Sequence, residues 1–225
     1  MVSFKGAHFE ATVILTCVRW YLAYPLSYRE LEEMMQERGI SVDHSTINRW
    51  VLKYTPKLEQ EFRRRKRPVG SSWRLDETYI KVRGEWKYLY RAVDKAGQTV
   101  DFLLTARRDR HAAQRFLEKA IHGHGVPVKI TLDQSGANAA AVESCNAAYN
   151  LTIEVRQVKY LNNIIEQDHR AIKRVVRSML GFKAFWAARR TLAGIEVMHM
   201  IKKGQLGHDG EPERTPADWF YALAA

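Results

Sequence analysis

At residue 73 the spacing of apolar side chains changes from the helical to the strand period, and the pattern that follows admits few folds. Residues 73–82, 87–93 and 99–105 alternate or cluster β-formers. Arg83-Gly84-Glu85-Trp86 and Lys95-Ala96-Gly97-Gln98 separate them, so the stretch reads as a three-strand meander. Residues 110–121 then carry a helical pattern with His122-Gly123-His124-Gly125 as its exit. Residues 128–132 read as a short buried strand, 137–149 as a helix and 151–155 as a fifth strand, before a helix that holds Glu166. The order βββαβαβα predicts an α/β fold, a mixed sheet flanked by helices. It sets Asp76 on the first strand, Asp133 at the end of the fourth and Glu166 on the helix after the fifth.

That last helix carries chemistry. At 3.6 residues per turn, Glu166, Arg170, Lys173, Arg174 and Arg177 share one side, while Ile165, Ile172, Val175, Val176 and Met179 turn towards a core. A lone carboxylate at the head of a basic stripe suits a metal ion beside a phosphodiester. The wider charge balance agrees: 36 Lys and Arg against 25 Asp and Glu give a formal charge of +11, which favours a polyanionic partner. The excess is greatest where Glu166 lies, with 10 basic and 3 acidic residues between 159 and 203.

Ahead of the sheet the chain is helical. Ser27 and Glu30 form a capping box that opens a helix stopped by Gly39; Asp43 or Ser45 can cap a second, with Ile47, Trp50, Val51, Tyr54 and Leu58 spaced to pack inward. This is a helix-turn-helix layout, also found as a plain packing unit, whose second helix would offer His44, Ser45, Thr46, Asn48 and Arg49 to a DNA groove. The expected organisation is therefore a helical DNA-binding domain over residues 1–62, a basic linker over 63–72, a catalytic domain over 73–205 and a tail over 206–225. The linker's run Arg63-Arg64-Arg65-Lys66-Arg67 reads either as solvated or as a phosphate contact.

Other classes fall away. Cys17 and Cys145 are far apart and lie in no CxxC or Cys/His cluster, so neither a disulfide framework nor a zinc knuckle is indicated. With no apolar leader and no run of about 18 apolar residues, no membrane association is expected, and the expected location is cytoplasmic, at the nucleoid.

The order of elements and the set Asp76, Asp133, Glu166 resemble the RNase H-like catalytic domain of DDE transposases and retroviral integrases. More narrowly, Tyr24-Pro25-Leu26-Ser27-Tyr28-Arg29, Asp43-His44-Ser45-Thr46, Trp73-Arg74-Leu75-Asp76-Glu77-Thr78-Tyr79, Asn162-Asn163-Ile164-Ile165-Glu166-Gln167-Asp168-His169 and Met179-Leu180-Gly181-Phe182-Lys183 are similar to motifs of bacterial insertion-sequence transposases of the IS-six family, over about residues 8–205. The resemblance implies a DNA transposase in which the three acids hold two Mg²⁺ or Mn²⁺ ions. It also implies that Lys173 contacts phosphate near the cleaved end, and that double-stranded DNA, as element ends and target, is the substrate of a homodimer. Hard cations prefer oxygen ligands, which agrees with a set made of carboxylates.

Each assignment has a bland counterpart. Glu77 competes with Asp76, since alternation lets only one of them face a site. Asp133 can cap a turn through Gln134-Ser135-Gly136, and Glu166 can complement a helix N-terminus. His122 and His124 read as a polar loop, and Asp94, Asp101, Asp109, Glu154 and Asp168 as solvent-facing or ion-paired groups, with Glu154 and Asp168 dispensable. Residues 182–203 read as an amphipathic helix for the core or for a dimer. For the whole chain the alternatives to a transposase are a helix-turn-helix regulator on a degenerate RNase H-like domain, without catalysis, and a structure-selective nuclease.

Overall fold

A computed structural model describes residues 2–133, 136–158, 162–207 and 214–225. Its elements are α1 (Ala11–Ala23), α2 (Tyr28–Gln36), α3 (His44–Arg65), β1 (Ser72–Val82), β2 (Glu85–Asp94), β3 (Thr99–Thr105), α4 (Arg110–His124), β4 (Lys129–Leu132), α5 (Gly136–Tyr149), β5 (Glu154–Gln157), α6 (Asn163–Arg177), α7 (Phe185–Lys202) and α8 (Pro216–Ala222). They gather into two compact units, Pro68–Arg170 and a second made of Met1–Arg67 with Ala171–Ala225; the division falls within α6.

The unit Pro68–Arg170 is built on one five-stranded sheet in the order β3-β2-β1-β4-β5. β1, β2 and β3 are antiparallel neighbours, whereas β4 runs parallel to β1 and β5 parallel to β4. This is the mixed sheet expected from the sequence. Arg83 and Gly84 alone connect β1 to β2, with φ of 53° and 80°, the pair of positive values that a type I′ hairpin turn requires. At the next turn the Asp94 carboxylate accepts the backbone N–H groups of Ala96 and Gln98, each at 2.9 Å, and of Gly70 at 2.8 Å. Alternation then sorts the side chains. Leu75 of β1 joins Tyr90 and Ala92 in a core with Phe116 and Leu117 of α4 and Val142 and Cys145 of α5. Asp76, paired across the ladder with Arg91, is on the opposite face. Asp109 caps α4 by accepting the N–H of Ala112, and α4 runs on to His124, ending at Gly125 with φ of 81°. The expected exit at 122–125 is thus mostly helix, closed by the glycine alone. The fifth strand forms at 154–157 rather than 151–155.

In the second unit, Ser27 and Glu30 make the reciprocal capping box of α2, Gly39 turns the chain at φ of 73°, and Asp43 caps α3 by accepting the Ser45 N–H. Ile47, Trp50, Val51, Tyr54 and Leu58 are all buried. Pro56 sits inside α3, has no N–H, and so leaves the Leu52 carbonyl without its helical donor. The Arg190 guanidinium of α7 donates to that oxygen at 3.2 Å. At Gly194 of α7 an added Cβ would lie 2.5 Å from a Leu22 methyl and 2.8 Å from that of Thr55, so the glycine sets how closely α7 packs on α1 and α3.

Three features depart from the linear organisation read from the sequence. α1 precedes the helix pair and packs with it. Arg63 to Arg65 form the last turn of α3, where Arg63 pairs with Glu59 and Arg64 with Glu61, each at 2.9 Å, and Lys66 then bridges Leu206. Those carboxylates, three and four residues back, offset the repulsion that made the run look like a linker. α7 is buried nearly all round, from Ala188 to Ile201, rather than amphipathic, which removes it as an open dimer face.

Candidate active site

The β1–β4 register carries two of the predicted acids together. Pairing ends with Arg74 beside Thr131; Asp76 stands two residues further along β1 and Asp133 directly after β4, two residues beyond Thr131, and both charges act on Glu77. The turn through Gln134 and Ser135 that Asp133 would cap lies outside the described residues. Asp133 is partly exposed, and Asp76 keeps 17% of its side chain open.

α6 reaches Asp76 through a residue that sequence reasoning passed over. His169 Nε2 lies 3.2 Å from Asp76 Oδ2, and its Nδ1 lies 3.4 Å from a guanidinium nitrogen of Arg91. An arginine only donates, so Nδ1 accepts, the proton sits on Nε2, and His169 donates it to Asp76. Arg91 is fully buried and its other arm is bound by Asp168 at 2.6 Å. The chain Asp168–Arg91–His169–Asp76 therefore fixes one oxygen of Asp76 and leaves the second for a ligand. Glu166, one helical turn before His169, is exposed.

Glu77 faces the other way. Its carboxylate is 3% exposed, pairs with Arg108 and accepts from Asn138 Nδ2 at 3.0 Å. Burial pushes this carboxyl above the ordinary range against the pull of Asn138 and Arg108, and the charges of Asp76 and Asp133 raise it further. Alternation thus puts Asp76 and Glu77 on opposite faces of the sheet, with Glu77 in a buried pair. Of the other acids, Asp101 binds Lys119, Asp109 is a cap and Glu154 binds Lys129 and Arg156. Asp94 is a turn organiser, buried rather than solvent-facing.

The donor set of Asp76, Asp133 and Glu166 is all oxygen, which suits a hard divalent cation. Among the described residues, only Glu32, Asp43 and His44 bring three candidate ligand atoms within 4.8 Å of one another. The three predicted acids stand further apart. A pair of ions about 3.5–4 Å apart spans a wider set of carboxylates than one ion does.

On α6, Arg170, Lys173, Arg174 and Arg177 are exposed, while Ile165, Ile172 and Val175 are buried, as the helical period predicts. At the start of α3 the five predicted contact residues are less uniform. His44 Nδ1 is 2.8 Å from Glu32, Ser45 binds Asp43, and Asn48 hydrogen-bonds the Tyr28 hydroxyl. Arg49 donates to Thr46 Oγ1 at 2.8 Å and is exposed, as is Ser45. No helix among the described residues is long and apolar enough to cross a membrane.

A family described as a DDE domain matches residues 70–205. The transposase for insertion sequence-like element IS431mec of Staphylococcus aureus is 41% identical over 201 residues, 89% of this chain and 88% of that protein. The transposase of IS257 in transposon Tn4003, also from Staphylococcus aureus, matches with the same identity and coverage. A chain of the solved simian T-cell lymphotropic virus intasome aligns with 70% of this chain and 56% of its own length, at 16% identity and a TM-score of 0.48. The matched domain defines the class, a polynucleotidyl transferase that acts on DNA. Within it, the chain belongs to the DDE transposases of insertion sequences, in the IS-six family with those of IS431 and IS257. Membership implies dependence on a divalent metal ion.

Proposed function

We propose that Asp76, Asp133 and Glu166 hold two Mg²⁺ or Mn²⁺ ions, and that the protein nicks the ends of its element and joins them to target DNA. The observation that carries this reading is that Asp76 and Asp133 follow the last β1–β4 pair at the same offset and both act on Glu77, with α6, and so Glu166, tied to Asp76 through His169. When bound, the ions supply activation of the attacking oxygen and stabilisation of the leaving one. In the first step a water oxygen attacks the phosphorus at the element end, and the bond to the 3′ oxygen breaks to leave a 3′-OH. In the second, that 3′-OH attacks a target phosphodiester, its oxygen bonds to the phosphorus, and the target's own bond from phosphorus to 3′ oxygen breaks to release a 3′-OH on the target strand. His169 holds the Asp76 carboxylate in one orientation through both steps. Lys173, two helical turns after Glu166, contacts the phosphate next to the reacting one, and Arg170, Arg174 and Arg177 take phosphates further along the strand.

In this reading residues 1–62 recognise the terminal inverted repeats, with Ser45, Thr46, Asn48 and Arg49 of α3 at the groove and His44 setting the helix start through Glu32. Residues 73–205 carry the chemistry. Two copies of the chain bring two ends together, at the nucleoid where the DNA lies.

The test is a duplex ending in the element's terminal repeat, incubated with the full chain, a target plasmid and Mg²⁺. The expected products are a nicked end with a free 3′-OH and a joined species, both lost with chelator and restored by Mn²⁺. Joining that persists in chelator, or that ignores the repeat, would contradict the proposal.

A further inference from the structure

The turn between α6 and α7 carries an exposed apolar side chain that the active site does not use. Leu180 is 94% exposed and has φ of 53°, followed by Gly181 at 90°. A leucine in water forgoes its burial, and a side chain with a Cβ disfavours the left-handed region, in which glycine is at ease. The stem below it is well defined: Ser178 Oγ donates to the Val175 carbonyl at 2.9 Å and the Met179 N–H to that of Val176 at 3.0 Å. Leu180 is therefore presented, at a local cost, where the described chain gives it almost no cover.

What lies beside it identifies the occupant. The turn forms one wall of a cleft whose other wall is the start of α3, with Asn48 and Arg49 on one side and Lys183 and Trp186 on the other. Among the described residues no carboxylate lines it, and Trp186 is 54% exposed. Two cations, an amide and a half-exposed aromatic ring that also carries the Arg190 guanidinium at 5.3 Å suit nucleic acid. They do not suit a second copy of a chain with a formal charge of +11.

We propose that this cleft seats DNA and that Leu180 is a wedge, pressed against a base step and partly unstacking it, while Arg49 and Lys183 hold the flanking phosphates. Apolar side chains inserted in this way kink a duplex and let more of the protein reach it. The proposal rests on the reading of α3 as a DNA-contacting helix and adds distortion of the DNA to recognition.

The experiment uses the full chain and terminal-repeat duplexes carrying 2-aminopurine at successive positions. Wild type is expected to raise fluorescence at one step, and Leu180→Ala to abolish the rise and weaken binding about tenfold or more, the factor corresponding to the unstacking term. On a duplex made abasic at that step, the variant should bind within about twofold of wild type, because the unstacking is already done. Leu180→Met, which keeps an apolar tip, should retain the signal, and the melting temperature of both variants should match wild type. Equal loss on intact and abasic duplexes, or no fluorescence rise with wild type, would overturn the wedge. A change of oligomeric state in Leu180→Ala without DNA would overturn it too and assign the tip to a second copy. Failure of the α3 reading shows separately: Asn48→Ala with Arg49→Ala would then leave the preference for the repeat unchanged.

Discussion

At the residue scale Asp76 is held by a chain of buried groups, His169, Arg91 and Asp168. Arg91 is a fully buried cation paired with Asp168, so Asp168→Ala breaks a buried ion pair and should destabilise the fold by about 3–5 kcal/mol in denaturant unfolding. Asp168 is therefore not the dispensable neighbour that its sequence context suggests. His169→Ala is expected to act differently, lowering joining by about 10–100-fold with DNA binding kept, because it frees the Asp76 carboxylate to rotate. His169→Gln, whose amide can still donate, should recover part of that loss. Equal activity of His169→Ala and wild type would remove the positioning role.

Glu77 supplies a pH signature. Its native carboxyl is raised, chiefly by burial, so the native state holds that proton more tightly than the unfolded chain does. Its contribution to stability is accordingly complete below the unfolded carboxylate value and is lost as pH rises through the native one. Glu77→Gln stays uncharged, so the melting temperature of the variant relative to wild type should increase from acid towards neutral pH. A difference that falls over that range would contradict the assignment.

At the element scale, legibility depended on turn chemistry. Strand and helix periods marked every element from β1 to α6, and the stop at Gly39 was written in residue types, whereas the choice of Asp43 over Ser45 as the cap of α3 was not. The partnership of Asp76 with Arg91 was not legible, because Arg83-Gly84-Glu85-Trp86 read as one four-residue turn. That reading pairs Val82 with Lys87 and shifts the ladder by two residues, placing Asp76 opposite Val93. The true turn uses Arg83 and Gly84 alone, with an arginine at positive φ where Asn or Asp is the usual signal. His169 was within reach, since it stands three residues from Glu166 on the same helix. The burial of α7 was hidden because its few charges suggested a polar face; Gly194 is the marker of close packing. Gly194→Ala should destabilise by about 1–3 kcal/mol through overpacking against Leu22 and Thr55, read by thermal unfolding. For α6, the basic face predicts that Lys173→Ala lowers the salt-dependence slope of DNA binding by about 0.7–0.9 and reduces joining more than binding. An unchanged slope with normal joining would make the face ordinary surface.

At the scale of the whole molecule, the two compact units are interleaved along the chain rather than consecutive: Ala171–Ala225 cluster with the N-terminal helices. The catalytic stretch expected over 73–205 thus contributes its last helix, α7, to the core of the helical unit, and the change of unit falls inside α6, between Glu166 and Lys173. One continuous helix therefore carries the third acid and the basic stripe. The role proposed for the three acids is tested most directly by removing each in turn. Asp76→Ala, Asp133→Ala and Glu166→Ala should each reduce Mg²⁺-dependent strand transfer below detection, with melting temperature and end binding close to wild type. Robust Mg²⁺-dependent joining by any one of the three would contradict it.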